Sequence, residues 1–468
     1  MLALVAAVLF AVHPAYSEAV TWISGTTDAT CGFFFVLSML AYLRFREHGH
    51  GLDLALLHLS FLAGMFSKET MAAFVPLLLA YDRIVLRRWP RPADVARVYA
   101  PLLATVALYL GMRVAAIGSF AAPGLLRHTS LSVFERLLNQ LVLLGGYVLK
   151  FLDPRALNAF HVFEPVHALG DTRTLGALAL LTVSGAVVVW AGKAVTAAHR
   201  DLAWVGLFWF VLTLAPVLVF FRRLGENVFA ERYLYVPSMG LCLTVAALVV
   251  SRVGRRTTPL LAGLAVVAVL GAGRVYARNL DWRDEVVFYE TTLRSSPNAR
   301  LLWMPLGDAY ADKGRFEDAV RAYQNGVALR PDYQIYCNLG IAYSELGRID
   351  EAIAAYQASL ERRPNETAYS NLGIAYHLAG RYDDAVRAQE AAISLQATAR
   401  AYYNLATTYY LGLRRYPEAV AAYEAALRLE PHHREAAEAL GAVRQDMKDA
   451  ALRTGSTGAS ASDTTRKR

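Results

Sequence analysis

Sixteen residues, His13–Asp28 (HPAYSEAVTWISGTTD), set a histidine, a helix-stopping proline and two acids between long apolar runs. Acids at a membrane boundary suit a general base or a cation's partner. Glu18, His13 and Asp28 are therefore the candidate catalytic residues. Each also has a plainer reading: Asp28 caps the helix that follows, Glu18 pairs with a cation, and His13 ends a helix beside Pro14. A second group is basic. The stretch RRLGENVFAERYLYVPS carries Arg222, Arg223 and Arg232, and arginine grips phosphate oxygens two at a time. Arg222, Arg232, the neighbouring Glu231 and Lys68 of an SKET turn form the candidate lipid-phosphate site. The plainer reading is an Arg222–Glu231 pair that braces two helices and a Lys68 that snorkels. His161, Glu164 and His167 (HVFEPVH) have only a loose metal spacing, and Pro165 would break the helix that aligns them, so no metal is assigned. Phosphate-loop, zinc-protease and nucleophile-elbow sequences are absent.

The elements that must position these residues come from composition. Of 468 residues, 56% are hydrophobic, and the net charge is +8. Apolar runs fill the chain to about residue 276, while the remainder is polar, rich in Tyr and Ala, and periodic. Runs near 2–17, 22–44, 52–67, 69–86, 97–117, 133–152, 174–193, 202–221, 233–251 and 258–276 approach the length of a membrane helix. The positive charge therefore reads as membrane topology, with no basic aromatic stripe for nucleic acid. Cys31, Cys242 and Cys337 are too dispersed for a disulfide framework. Scarce lysine beside abundant arginine points to a GC-rich bacterial genome.

Arginines follow the second, fourth, seventh and ninth runs, so those connections should face the cytoplasm. His13–Asp28, the SKET turn, Arg222–Ser238 and everything after residue 276 then lie outside. Parity leaves 133–152 as an interfacial or re-entrant helix, in keeping with Glu135, Arg136, Asn139, Gln140 and Lys150. Runs 52–67 and 69–86 should form a hairpin with Lys68 and Glu69 at its tip.

Past residue 300 the chain repeats. Tyr310, Tyr343, Tyr376 and Tyr409 are 33 residues apart, Gly307, Gly340 and Gly373 keep the same step, and Pro331, Pro364 and Pro431 close units. This is the tetratricopeptide (TPR) pattern, a solenoid of paired helices. Ala419 falls one residue late, after an insertion near Leu413–Arg415. Asn338, Asn371 and Asn404 form a column of amides, either a peptide-binding row or common filler.

Taken together, HPAYSEAVTWISGTTD, SKET, FAERYLYVPSMG and the C-terminal repeats resemble the transmembrane-and-TPR protein O-mannosyltransferases of the GT-C glycosyltransferase class. The chain therefore reads as all-α: a polytopic membrane domain (1–276), which the resemblance implies is GT-C-like, a connecting half repeat (277–299), about four TPR repeats (300–445) and a disordered tail (446–468). The resemblance implies transfer of a sugar, mannose, from a polyprenyl-phosphate donor to protein hydroxyls, with a divalent metal left open. Arg222, Arg232 and Lys68 would hold the lipid phosphate, Glu18, His13 and Asp28 would shape the acceptor side, and the TPR concave face would bind the acceptor polypeptide. The expected location is a bacterial inner membrane, crossed several times, with the repeats extracytoplasmic. Where the family carries a GRAD-like motif, this chain has Gly25-Thr26-Thr27-Asp28. The family places its catalytic acid between the first two spans, and no acid precedes Glu18, so the chain is expected to be N-terminally truncated and to lack that acid. The rival reading is a non-enzymatic, membrane-anchored TPR scaffold.

Overall fold

The computed structural model describes residues 1–21, 25–118, 131–155, 157–221, 227–253 and 257–462, with side chains to Asp449. The chain forms two compact units, Met1–Ser296 and Pro297–Arg468. The described residues are helical, without strands.

In the first unit, α1 (Leu2–Ala11) and α2 (Ser17–Thr21) flank a short 3-10 turn, Pro14–Tyr16. The apolar run 2–17 is therefore not one straight rod: its two pieces meet at 56°. Pro14 has no N–H to continue the helix. His13 closes the break, accepting the Ala15 N–H at Nδ1 (3.3 Å). Its Nε2 lies 2.9 Å from the Phe151 carbonyl, and its ring stacks on Phe151.

The helices that follow are α3 (Thr26–His48), α4 (Gly51–Ser67), α5 (Phe74–Ile84), α6 (Pro92–Ile117), α7 (Val133–Leu152), α8 (Thr172–Lys193), α9 (Ala197–Phe220), α10 (Tyr235–Val253), α11 (Thr257–Leu280) and α12 (Glu285–Ser295). Among the described residues six helices are long and apolar enough to cross a membrane, or seven if the bent pair counts as one span. The protein is a multi-pass membrane protein. The SKET hairpin is present: α4 ends at Ser67, a 3-10 turn Glu69–Ala73 follows, and α5 returns.

Helix α7 is not among the span-like helices. Ser132 and Glu135 cap its start reciprocally, each accepting the other's backbone N–H. Two of its polar residues are buried in protein: both ends of the Asn139 amide bond the backbone of Val166 at 2.8 Å, and Lys150 is enclosed. Helices α9 and α10 cross at two glycines. An added Cβ on Gly206 would fall 2.4 Å from the Gly240 carbonyl oxygen, so only hydrogen fits there.

At the arginine-rich end, Asp82 is fully buried and accepts from Tyr99 Oη (3.0 Å), Tyr42 Oη and Arg46 Nη2 (2.6 Å). Arg46 also bonds Tyr42 Oη (2.8 Å) and Asp94 (2.6 Å). One of the arginines read as a topology signal is thus the counter-ion of a buried acid.

The second unit is built from pairs: α13 (Trp303–Asp312) with α14 (Phe316–Leu329), α15 (Tyr333–Glu345) with α16 (Ile349–Arg362), α17 (Glu366–Leu378) with α18 (Tyr382–Leu395), and α19 (Ala399–Thr407) with α20 (Tyr416–Leu429). A Cβ on Gly307 would meet the Tyr323 ring at 2.3 Å and one on Gly340 the Tyr356 ring at 2.6 Å, so partner rings seat on the first two glycines of the column; on the third, Gly373, the Gln389 side chain takes that place at 2.5 Å. Each pair turns through a left-handed residue, Gly314, Gly347 and Gly380, at φ of 69–73°. The arginine after it lies over the repeat tyrosine, with Arg315, Arg348, Arg381 and Arg415 at 4.4–4.9 Å from the ring centres. In the fourth pair the inserted residue is absorbed by a π turn, Thr408–Gly412, and Arg414 takes the left-handed position at φ 56°.

The composition after residue 446 predicts an unstructured tail. Helix α21 (Arg434–Ser462) extends into this segment, and residues 463–468 lie outside the described residues. Its first turns are strong helix formers, and Ala436, Leu440 and Val443 are buried against the fourth pair, which gives the helix a packed start from which to extend.

Candidate functional site

The site is assembled on the turn Glu231–Leu234, which leads into α10. Two acids of the N-terminal segment reach this region by separate cations. Glu18 is fully buried on α2; its Oε2 accepts the Arg232 backbone N–H (3.0 Å) and its Oε1 the Arg232 guanidinium (2.7 Å). Asp28, in the first turn of α3, is buried and ion-paired with Lys68 from the SKET turn. Lys68 Nζ and the Arg232 guanidinium lie 5.1 and 5.2 Å from the centre of one ring, Tyr233. Residues 18, 28, 68 and 232 are thus one constellation around Tyr233.

Glu231, next to Arg232 on the same turn, is held by groups from other elements. It is fully buried and its Oε1 accepts from Lys150 Nζ (2.7 Å) and from the Asn158 backbone N–H. Arg278 Nη2 approaches its other oxygen at 3.7 Å. The partner expected for it, Arg222, lies outside the described residues, as does Arg223. His13 is held at both ring nitrogens by the α1–α2 break and by Phe151.

His161, one of the loosely spaced HVFEPVH residues, meets a lysine and an acid. Its Nε2 sits 2.6 Å from Lys150 Nζ and 3.4 Å from Glu231 Oε1. An ammonium at 2.6 Å donates to an unprotonated nitrogen, so Nε2 accepts from Lys150 and the imidazole is neutral. Burial, first, holds its pKa below the usual histidine value; Glu231 opposes this, and the nearby Lys150 and Arg278 reinforce it. Among the described residues no group of three or more His, Cys, Asp or Glu side chains is placed to hold a metal.

Sequence reasoning missed Tyr233, Lys150, Asn158 and Arg278. Lys150 carried a signal, a lysine near the end of an apolar run; Tyr233 carried none, being one of many tyrosines. In the repeat unit, Asn338, Asn371 and Asn404 are half-buried. The Asn338 amide donates to Asp308 (2.9 Å) and that of Asn404 to Ser370 (3.5 Å), so two of the three are tied to the preceding pair.

Similarity to known proteins fits both units. Tetratricopeptide repeat families match residues 307–347, 334–397 and 399–433. The chain is 27% identical over 365 residues to protein O-mannosyl-transferase TMTC4 of Mus musculus, covering 69% of this chain and 48% of that protein. It is 26% identical over 401 residues to protein O-mannosyl-transferase Tmtc3 of Drosophila melanogaster, covering 70% of this chain and 41% of that one. The chain therefore spans about half, or less, of the length of these relatives. Among solved structures, MamA is 30% identical, with a TM-score of 0.30, over 32% of this chain and 89% of its own. The chain is thus similar, through a multi-pass membrane unit followed by TPR repeats, to TMTC protein O-mannosyl-transferases.

Proposed function

We propose that the protein takes part in transferring a sugar, mannose, from a polyprenyl phosphate to protein hydroxyls, in a bacterial inner membrane. The observation that carries this reading is the pair of cations, Lys68 and Arg232, gathered over Tyr233 and each steadied by a buried acid. The similarity to proteins named O-mannosyl-transferases supports the reaction class.

In the transfer the bond from sugar C1 to the phosphate oxygen breaks, a bond from C1 to the acceptor oxygen forms, and the hydroxyl proton passes to a carboxylate. Negative charge grows on the departing phosphate. Arg232 and Lys68 would meet it, with Arg222 as a third cation, and Glu18 and Asp28 keep the two described cations from turning away. Glu231 supports the phosphate site from behind, by fixing the turn that carries Arg232. Glu18, His13 and Asp28 shape the acceptor side. The TPR units hold the acceptor polypeptide, with Asn338, Asn371 and Asn404 toward its backbone.

The test is retention of radiolabelled polyprenyl-phosphate mannose by membranes carrying the protein. Arg232→Ala and Lys68→Ala should each lower retention about tenfold or more, the effect of losing one charge-assisted phosphate contact. Arg330→Ala, in the repeat unit, should leave it unchanged. Retention unaffected by both site variants would remove the phosphate role.

One observation favours a second reading. Both acids of the constellation are already neutralised by cations, as in a brace between helices. A membrane-anchored TPR scaffold would retain no lipid-linked sugar in the same assay.

A further inference from the structure

A separate basic pocket lies in the membrane unit, where the end of α8, the start of α9 and the end of α10 meet. Its volume is about 150 Å³, and its lining includes Val189, Gly192, Lys193, Arg200, Trp204 and Leu248. The turn between α8 and α9 is held in place: the Thr196 N–H donates to Ser251 Oγ of α10 (3.2 Å), and Thr196 caps α9. Gly192 leaves room for Arg200, whose Cγ would be 3.7 Å from a Cβ there.

Among the described residues neither the Lys193 ammonium nor the Arg200 guanidinium has a hydrogen-bond or ion-pair partner. The adjacent acid, Asp201, is engaged by Arg87 (3.2 Å). Arg252 lies 4.8 Å over the Trp190 ring. Trp190 and Trp204 are 65% and 41% exposed at the same end of the spans, the level at which amphipathic rings meet headgroups.

We propose that this pocket binds the phosphodiester head of an anionic phospholipid, its acyl chains lying along Val189, Trp190 and Trp204. Lys193 and Arg200 supply the charge, since basic pockets between membrane helices take anionic headgroups. Arginine adds paired donors for phosphate oxygens. The volume admits a headgroup and leaves the chains outside, along the exposed side chains of Val189, Trp190 and Trp204. A zwitterionic lipid would bring its own ammonium against both cations.

The full chain is extracted into detergent with phosphatidylglycerol or phosphatidylcholine, and retained lipid is counted by native mass spectrometry. Phosphatidylglycerol should be retained about tenfold or more over phosphatidylcholine. The Lys193→Gln/Arg200→Gln double variant should lose that preference. Gly192→Leu, which keeps both charges and fills the pocket, should lower phosphatidylglycerol retention by a similar factor, with the thermal transition of each variant confirming that it is folded. Lys193→Gln alone, the mildest change, should halve the preference at least. Equal retention of the two lipids overturns the proposal. So does a preference that survives the filled pocket, or retention of inorganic phosphate alone at the same level.

Discussion

Arg232 donates to Glu18 across 214 residues of chain, and Lys68 reaches Asp28 across 40. Buried acids of this kind are costly unless paired and hydrogen-bonded, and here each is. The same economy governs His161, which is neutral because Lys150 donates to it. Its pKa is lowered in the fold, so the unfolded chain binds the extra proton. The stability it contributes is complete above the ordinary histidine value of about 6.5 and is lost as pH falls below it. Acidification from about pH 7 to about pH 5 should therefore lower the thermal midpoint of the detergent-solubilised protein. His161→Gln, which keeps an acceptor for Lys150 and cannot be protonated, should flatten that step. An equal slope in the variant would mean that other groups titrate there.

The repeat pairs share one turn device: a left-handed residue, then an arginine that covers the repeat tyrosine and bonds the acid three residues on. The fourth pair departs from it only at Arg414, which occupies the left-handed region with a side chain. Such a backbone state costs roughly 1 kcal/mol or more for a residue with a Cβ, partly offset by glycine's greater freedom when unfolded. Arg414→Gly should therefore stabilise the fourth pair by roughly 0.5–1 kcal/mol. Amide hydrogen exchange over residues 399–429 should slow about two- to fivefold, the same free energy expressed as a rate. Faster exchange would show that Arg414 makes contacts worth more than the strain. The tyrosine and glycine columns were legible in the 33-residue step. The arginine above each ring leaves no such mark, because its place follows from the turn and not from hydrophobic periodicity.

For the whole molecule, the transfer reading needs the acid-bearing break and the repeats to share one face of the bilayer. The native cysteines are buried, so impermeant thiol reagents meet a quiet background. Single cysteines at Val20 and Leu378, both exposed, should label from the same side. A cysteine at Trp89, among the arginines that mark the other end, should label only from the opposite side. Labelling of Val20→Cys and Leu378→Cys from opposite faces would end the transfer reading.

Helical membrane spans, the SKET hairpin and the TPR pairs could be read from the chain alone. Each depends on residues within one or two turns of one another, where apolar runs and small-residue spacing act directly on the backbone. The existence of α7 was legible for the same reason. What the chain could not disclose was the choice of partner. From the chain alone Glu231 pairs most simply with Arg222 next door; among the described residues it accepts from Lys150, 81 residues away, because the packing of α7 against this turn brings that ammonium to 2.7 Å. Ion pairs carry no periodicity. Their identity is settled only when helices dock and every buried charge must find a counter-charge within reach.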